Sequence, residues 1–294
     1  MENLKHYLNK AIKEKWAIGQ FNFSDFTQLK TIVLTAEKLK SPIILGTSEG
    51  ESKFFGLEEA VAIRNVLRKK TGLPIFLNLD HGKSFEYVKN AIDAGYDMVH
   101  FDGSSLPLDE NIKITKQVIK YAQNRGWFKE EVLVEGEVGK IGNETSKIYY
   151  EKVEIKEENL TKIKDVSKYI KETDVNFLAV SVGNFHGISN TGDAPEIKFD
   201  ILNEVSKTVN KKVGLVLHGG SGILETDIKK AIELGIVKIN INTEIRKAFT
   251  EGLRMFLEQN STEITPYKIL PAVQPEIEKI IKEKINLFNS KDKL

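Results

Sequence analysis

Eight short apolar runs, most of them rich in β-branched residues, recur along this chain. Each is separated from the next by a segment with helical periodicity, and that alternation leaves few folds open. The runs are Ala17–Phe23, Pro42–Thr47, Leu73–Leu79, Asp97–Asp102, Val132–Val138, Val175–Val182, Val213–Leu217 and Ile236–Ile241. Their interiors are apolar, the pattern of strands covered on both faces. Between them, stretches such as Glu58–Arg68 and Phe85–Asp93 place apolar residues at helical spacing. Gly72, Gly95, Gly126 and Gly235 fall where such helices should end, because glycine tolerates the left-handed C-cap. Eight parallel strands with helical crossovers in about 240 residues predict an α/β fold, a closed (β/α)8 (TIM) barrel, in preference to an open doubly wound sheet.

Two helical segments, Arg246–Gln259 and Glu276–Phe288, follow the eighth run, with Pro266, Pro271 and Pro275 between them. They exceed what closure of a barrel needs, so the extension over about 246–294 is expected to be a cap or a subunit contact. The longest connection, Glu144–Lys171, is rich in Lys and Glu and is expected to hold a mobile active-site loop followed by a solvated helix. No repeat beyond the strand–helix unit and no linker interrupts the chain, so residues 1–294 are expected to form one domain.

Composition narrows the chemistry. The 43 basic and 42 acidic side chains nearly cancel, which gives no reason to expect a nucleic acid or an anionic membrane as partner. The absence of cysteine excludes disulfides, thiolate clusters and a Cys nucleophile, so a transition metal would have to use His and carboxylates. A cysteine-free chain fits the cytoplasm. Met1–His6 leads into an amphipathic helix without the apolar core of a signal peptide, and no apolar run approaches the roughly 20 residues that span a bilayer.

Three of the five histidines sit just past strand-like runs: His81, His186 and His218. Brought to one rim, three imidazoles make an open Zn²⁺ site with a fourth position for water or substrate, and Asp80 sets a carboxylate beside it. In a barrel all C-terminal strand ends share one face. That face would gather Asn22, Ser48, Asp80, His81, Asp102, Glu135, Glu137, His186, His218, Asn240 and Asn242. Polar residues begin at strand ends in any case, which accounts for Asn22, Ser48 or Asp102 singly; it accounts poorly for three histidines with several carboxylates. His6, on a helix surface, and His100, inside a strand, read as structural. Glycine adds a second element: His186-Gly187, His218-Gly-Gly-Ser-Gly222 and Asn240-Ile-Asn242-Thr243 free backbone N–H groups at the last three strand ends, as a phosphate cradle requires.

With these residues in place, the chain resembles the class II, metal-dependent fructose-bisphosphate/tagatose-bisphosphate aldolases. The resemblance runs through Gly19-Gln-Phe-Asn22, Ser41–Gly50, Leu79-Asp-His-Gly82, Asp102, Val134-Glu-Gly-Glu137, His186-Gly187, Leu217–Gly222 and Lys238–Glu244, over about the first 250 residues. It implies that His81, His186 and His218 hold Zn²⁺ (or Co²⁺ or Fe²⁺), with Glu137 an alternative ligand. Asp80 would move the proton of the C4 hydroxyl, and Glu144 the α-proton of dihydroxyacetone phosphate. Gly187, Gly219, Ser221, Asn242 and Thr243 would hold the phosphate, with Asn240 and Asn22 along the ligand and Ser48 at its far end. A monovalent cation, Na⁺ or K⁺, near the His186-Gly187 backbone and a second cation site near Asp102 and Glu135 are further implications. The implied partner is a small sugar phosphate, and the implied assembly a homodimer or homotetramer through C-terminal helices.

The chain departs from the pattern in three places. Gly142-Asn-Glu-Thr-Ser146 stands where relatives carry Gly-Gly-X-Glu-Asp, so Glu144 would act from an altered register. Ser189-Asn190 replaces a Tyr-Lys after His-Gly, removing a positive charge. A C-terminal arginine that reaches the distal phosphate in relatives has no counterpart, its best match being Gln274, and such a loss is not conservative. The resemblance makes fructose 1,6-bisphosphate the first expected substrate, with tagatose 1,6-bisphosphate and 6-phospho-5-dehydro-2-deoxygluconate as alternatives, and the missing arginine weakens the bisphosphates. Lys140, Lys147 or Arg246 could supply replacement charge. Two rivals remain: a metal- and phosphate-binding barrel without turnover, and a Schiff-base aldolase using Lys238.

Overall fold

Each of the eight runs forms a strand, and the strands close on one another in the order β1-β10-β9-β7-β5-β4-β3-β2, all parallel. The structure is a computed structural model that describes residues 2–124, 131–141, 147–192 and 194–294. The barrel strands are β1 (Ile18–Asn22), β2 (Ile43–Ser48), β3 (Ile75–Gly82), β4 (Met98–Phe101), β5 (Leu133–Val138), β7 (Phe177–Val180), β9 (Gly214–Leu217) and β10 (Ile236–Ile241). A separate parallel pair, β6 (Ile148–Tyr149) with β8 (Ile188–Ser189), lies outside the barrel. The helices are α1 (Leu4–Glu14), α2 (Phe26–Lys38), α3 (Glu49–Phe55), α4 (Leu57–Thr71), α5 (Phe85–Ala94), α6 (Leu108–Gln123), α7 (Ile163–Glu172), α8 (Phe199–Val209), α9 (Glu225–Glu233), α10 (Thr243–Gln259), α11 (Pro266–Ile269) and α12 (Gln274–Leu287). Among the described residues, no helix is long and apolar enough to cross a membrane.

Helix ends follow local chemistry. Asp25 and Ser84 accept backbone N–H groups in the first turns of α2 and α5, at 2.9 and 3.2 Å. Gly72 and Gly95 take the left-handed conformation at the C-caps of α4 and α5, as their positions predict. The position of Gly126 lies outside the described residues.

Two apolar cores result. One fills the space between strands and helices, with Leu45, Leu77, Val99, Leu178 and Leu215 facing Leu29, Ile32, Val88, Val166 and Leu202. The other is the floor of the barrel itself, made of Ile18, Ile44, Phe76, Met98, Leu133, Phe177 and Val216. Helix α1 plugs that end by laying Leu4, Tyr7, Leu8 and Ala11 against the same cluster.

Above this floor the inward positions turn polar. Strand side chains alternate between faces, so the residues two and four beyond a floor residue also point inward. The series are Ile18-Gln20-Asn22, Phe76-Asn78-Asp80, Met98-His100-Asp102 and Leu133-Glu135-Glu137. The expectation of apolar strand interiors therefore applies to the floor and to the outward face only.

The C-terminal region differs from the expected cap. Ile277, Ile281, Ile285 and Phe288 are fully buried, and α12 packs against α2 and α10 as part of the barrel's helical wall. Ala17 N–H donates to the Phe288 carbonyl at 3.0 Å, fastening this helix beside the first strand. Helix α10 begins at Thr243, three residues before the expected start, so its first turn belongs to the mouth.

Candidate active site

In a regular strand Asp80 and His81 would point to opposite faces. Here the register of β3 against β4 shifts between Leu79 and Gly82, and His81 adopts a φ of +56°. That left-handed conformation is uncommon for a residue with a Cβ and is a place where strain of about 1–3 kcal/mol is held by its surroundings. His100 supports the distortion, its Nδ1 accepting the His81 backbone N–H at 3.2 Å. Both the carboxylate and the imidazole can then reach the mouth.

Two ring nitrogens close on a third there. His81 Nε2 lies 3.1 Å from His186 Nε2 and 2.9 Å from His218 Nδ1. The far nitrogens of two of these rings rest on carboxylates: His81 Nδ1 on Asp102 Oδ2 at 2.7 Å, and His218 Nε2 on Glu135 Oε1 at 2.6 Å. Donating those N–H groups leaves the lone pairs of His81 Nε2 and His218 Nδ1 aimed at one centre, the arrangement in which outer carboxylates orient metal-binding imidazoles. Lone pairs so close repel unless a cation lies between them. A tetrahedral Zn²⁺ with Zn–N bonds of about 2.0–2.1 Å separates its nitrogens by about 3.3 Å, close to the spacing found. The donor set fits the ion.

Asp80 is the neighbouring acid. Its Oδ2 accepts Asn22 Nδ2 at 2.9 Å, and its Oδ1 accepts Asn240 Nδ2 at 3.0 Å. Burial alone would raise its carboxyl pKa, but His81, His218 and Lys238 outweigh burial and hold it well below the usual carboxylate range. Glu135, besides orienting His218, meets Lys238 Nζ at 2.7 Å, both groups being fully buried. This ion pair accounts for the lysine in the eighth barrel strand.

Two groups of His and carboxylate donors here could hold an ion: Asp80 with His81, His100 and His218, and His81 with Asp102 and Glu137. Glu137 Oε2 lies 3.7 Å from His81 Nδ1 and 3.3 Å from His100 Nε2; neither it nor His100 Nε2 has a hydrogen-bond partner. Burial, reinforced by Asp102, pushes the Glu137 carboxyl up to about 8. Asp102 is held far below its ordinary range: burial opposes this, but the His81 hydrogen bond and charge, His100 and Lys83 prevail.

Three buried histidines are kept neutral. Burial first, then His81, pushes His186 down to about 3, and the same causes with His100 push His218 well below 6.5. His100 is also lowered, by burial. Below pH 6.5 the unfolded chain binds protons that these three folded imidazoles refuse, so stability falls with pH. Glu137 opposes this between about 8 and 4.5, as one group against three. The metal-free protein is therefore expected to melt at progressively lower temperature from pH 6.5 downward. A melting temperature unchanged between pH 7 and 5 would contradict that assignment.

The glycine loops meet at the same mouth. Gly187 has a φ of +127°, and a Cβ there would lie 2.5 Å from the Lys147 carbonyl oxygen. Gly219 has a φ of +61°, and a Cβ there would lie 2.2 Å from the Phe185 carbonyl oxygen. Only glycine permits these approaches, which draw the loops after β7 and β9 together. Ser221 Oγ accepts the Glu244 N–H at 3.4 Å, and Thr243 is buried at the start of α10. Ser48 caps α3, accepting the Glu51 N–H, and Asn242 Nδ2 donates to Glu51 at 3.2 Å. Glu144 lies outside the described residues; Lys147, just after them, accepts the Ile188 N–H at 3.0 Å through its carbonyl.

Two residues at the mouth escaped sequence reasoning. His100 was readable, since it lies two positions before Asp102 and shares its inward face. Glu51 was readable only as the fourth residue of a Ser48-x-x-Glu51 capping box, which says nothing of what its carboxylate meets.

Comparison with known proteins agrees with this geometry. Residues 2–293 match the family described as fructose-bisphosphate aldolase class-II. The sulfofructosephosphate aldolase of Alkalicoccus urumqiensis is 36% identical, covering 98% of this chain and 96% of its own length. The fructose-bisphosphate aldolase of Geobacillus stearothermophilus is 35% identical, covering 99% and 98%. The crystal structure of the YdjI aldolase from Escherichia coli K12 superposes with a TM-score of 0.81 at 28% identity, covering 100% of this chain and 99% of that one. A whole-length match, a closed eight-stranded barrel and a three-histidine cluster beside an aspartate agree: the chain belongs to the class II fructose-bisphosphate aldolase family, whose members are metal-dependent lyases.

Proposed function

We propose that this protein reversibly cleaves a ketose phosphate to dihydroxyacetone phosphate and an aldehyde, with His81, His186 and His218 as metal ligands and Asp80 as the acid and base. Fructose 1,6-bisphosphate, which gives glyceraldehyde 3-phosphate, is the reference substrate; tagatose 1,6-bisphosphate and 6-phospho-5-dehydro-2-deoxygluconate are the alternatives. The observation that carries the reading is the approach of His186 Nε2 and His218 Nδ1 to His81 Nε2, at 3.1 and 2.9 Å, beside an ionised Asp80. When bound, the ion (Zn²⁺, or Co²⁺ or Fe²⁺ on the same donors) supplies Lewis-acid polarisation of the substrate's carbonyl and hydroxyl oxygens.

The chain's own residues do the rest. Asp80, ionised and fixed by Asn22 and Asn240, takes the C4 hydroxyl proton as the C3–C4 bond breaks, and returns it to the aldehyde oxygen in condensation. The electron pair of the broken bond is left on C3, and Glu144 is assigned its protonation. Backbone N–H groups at Gly187 and Gly219, with Ser221, Asn242 and Thr243, hold the phosphate; Asn240 and Asn22 face the carbon chain, and Ser48 its far end. A Na⁺ or K⁺ ion at the His186-Gly187 backbone completes the anion site. Glu137 serves as an alternative ligand, and Asp102 with Glu137 forms a second cation position; Glu135 is committed to His218 and Lys238. The exposed apolar residues Met255, Leu257, Ile264 and Tyr267 along and after α10 support a homodimer or homotetramer through the C-terminal helices. A cytoplasmic location accords with the absence of cysteine.

The two relatives named above carry the names of different substrates yet are 36% and 35% identical to this chain, so overall similarity does not choose the substrate. The test therefore begins with the half-reaction they share. Zn²⁺-loaded protein incubated with dihydroxyacetone phosphate in D₂O is expected to exchange one C3 proton stereospecifically, seen by NMR, and EDTA to abolish the exchange. Absence of exchange with metal and ligand both bound would favour a binding barrel without turnover; exchange that survives EDTA would reject metal-dependent chemistry.

A further inference from the structure

Glu51 is a buried carboxylate at the mouth for which the proposed reaction has no use. It lies in the first turn of α3 and is 5% exposed. Its Oε2 accepts the Ser48 backbone N–H at 2.7 Å and Asn22 Nδ2 at 3.0 Å. Its Oε1 accepts Asn242 Nδ2 at 3.2 Å and the guanidinium of Arg246. Donors from β1, from the ends of β2 and β10, and from α10 therefore meet on one side chain.

A guanidinium, side-chain amides and a backbone N–H are what a phosphate, sulfonate or carboxylate ligand recruits. Here the protein's own carboxylate fills that position. The position is also next to the chemistry, because the Asn22 amide that Glu51 holds donates equally to Asp80 at 2.9 Å. A group bound at Asp80 is thus separated from the Glu51–Arg246 pair by the Asn22 amide alone.

We propose that Glu51 is a specificity-determining residue: its carboxylate competes with the second anionic group of a bisphosphate for Arg246, Asn22 and the Ser48 N–H, and so favours a ketose monophosphate over the corresponding bisphosphate. The proposal rests on the aldolase reading and deepens it at the aldehyde end. Removing the carboxylate frees an anion-accepting set already assembled, whereas removing Arg246 as well takes away its guanidinium, the charged member of that set.

The test compares kcat/KM for fructose 1,6-bisphosphate with that for fructose 1-phosphate, in the Zn²⁺-loaded wild type, Glu51→Ala, Glu51→Gln and Glu51→Ala/Arg246→Ala. The bisphosphate-to-monophosphate ratio is expected to rise tenfold or more in Glu51→Ala, to rise less in Glu51→Gln, and to fall back in the double variant. Gln at this position keeps the capping-box contact, so it guards against a misfolded Ala variant. A ratio that stays flat or falls in both single variants, with dihydroxyacetone phosphate exchange retained, overturns the proposal. If the wild type cleaves neither ketose, the substrate reading fails separately, and inorganic phosphate binding by calorimetry with the cradle occupied by dihydroxyacetone phosphate decides the proposal. A tenfold tighter phosphate site in Glu51→Ala supports it, and equal affinity in the two proteins overturns it.

Discussion

Asp80→Ala will lower kcat/KM for ketose cleavage by about 10²–10⁴ while leaving zinc content unchanged, the range that a positioned acid–base group contributes. The corresponding loss of transition-state stabilisation is about 2.7–5.5 kcal/mol. The two effects separate because Asp80 supplies none of the three ring nitrogens; its nearest approach to them is 3.7 Å, to His218 Nδ1. The fold should tolerate the change, since the Asn22 amide released by Asp80 keeps Glu51 as a second acceptor. Steady-state kinetics paired with metal analysis on the same preparation checks both halves. Turnover within tenfold of wild type would remove Asp80 from the proton-transfer role. Metal lost together with activity would instead make it part of the ion's support.

Lys238→Met is expected to reduce folding stability by about 3–5 kcal/mol, the usual consequence of removing one partner of a buried ion pair. Lys238 and Glu135 are both fully buried and 2.7 Å apart, so the substitution leaves a carboxylate in the barrel interior with only the His218 N–H for compensation. The damage should pass to the metal, because Glu135 is the group that turns His218 Nδ1 toward the common centre. Loss of such outer support typically weakens a site by about 10–100-fold. Urea unfolding and competition with a chromophoric chelator measure the two effects. A Schiff-base role for Lys238 forecasts the reverse, a stable protein whose residual chemistry ignores EDTA.

The barrel was legible because burial on both faces demands continuous apolar runs, and these stand out in a chain otherwise punctuated by charge. All eight strands fall inside or within a few residues of the expected runs; β3 extends three residues further, to Gly82, because the bulge at Asp80-His81 keeps the backbone paired after the apolar pattern has stopped. The histidines proposed as metal ligands were legible for a related reason: each follows an apolar run, and a barrel sends every such position to one face. His100 was missed by giving weight to its place in mid-strand and none to its parity with Asp102. Helix α12 was misjudged as a cap because amphipathic spacing shows that a face is buried without showing against what. Glu51 could not be found from spacing at all, since its partners lie up to 195 positions away in the chain.

The fastening of α12 across α2, with the Phe288 carbonyl on Ala17, also sets a timetable for synthesis. The strand that begins the barrel pairs on one side with Ile236–Ile241, and its covering helix comes later still. At about 5–20 residues per second, the ribosome takes on the order of tens of seconds to travel from the first of these partners to the last. Until Ile236–Ile241 emerges, one edge of β1 stands open, an unpaired template for any other extended segment. Chaperone contact and aggregation in a cell should therefore concentrate in the window before that strand arrives, and clipping the final helix would bare the apolar wall beside α2 and α10 without reopening the edge.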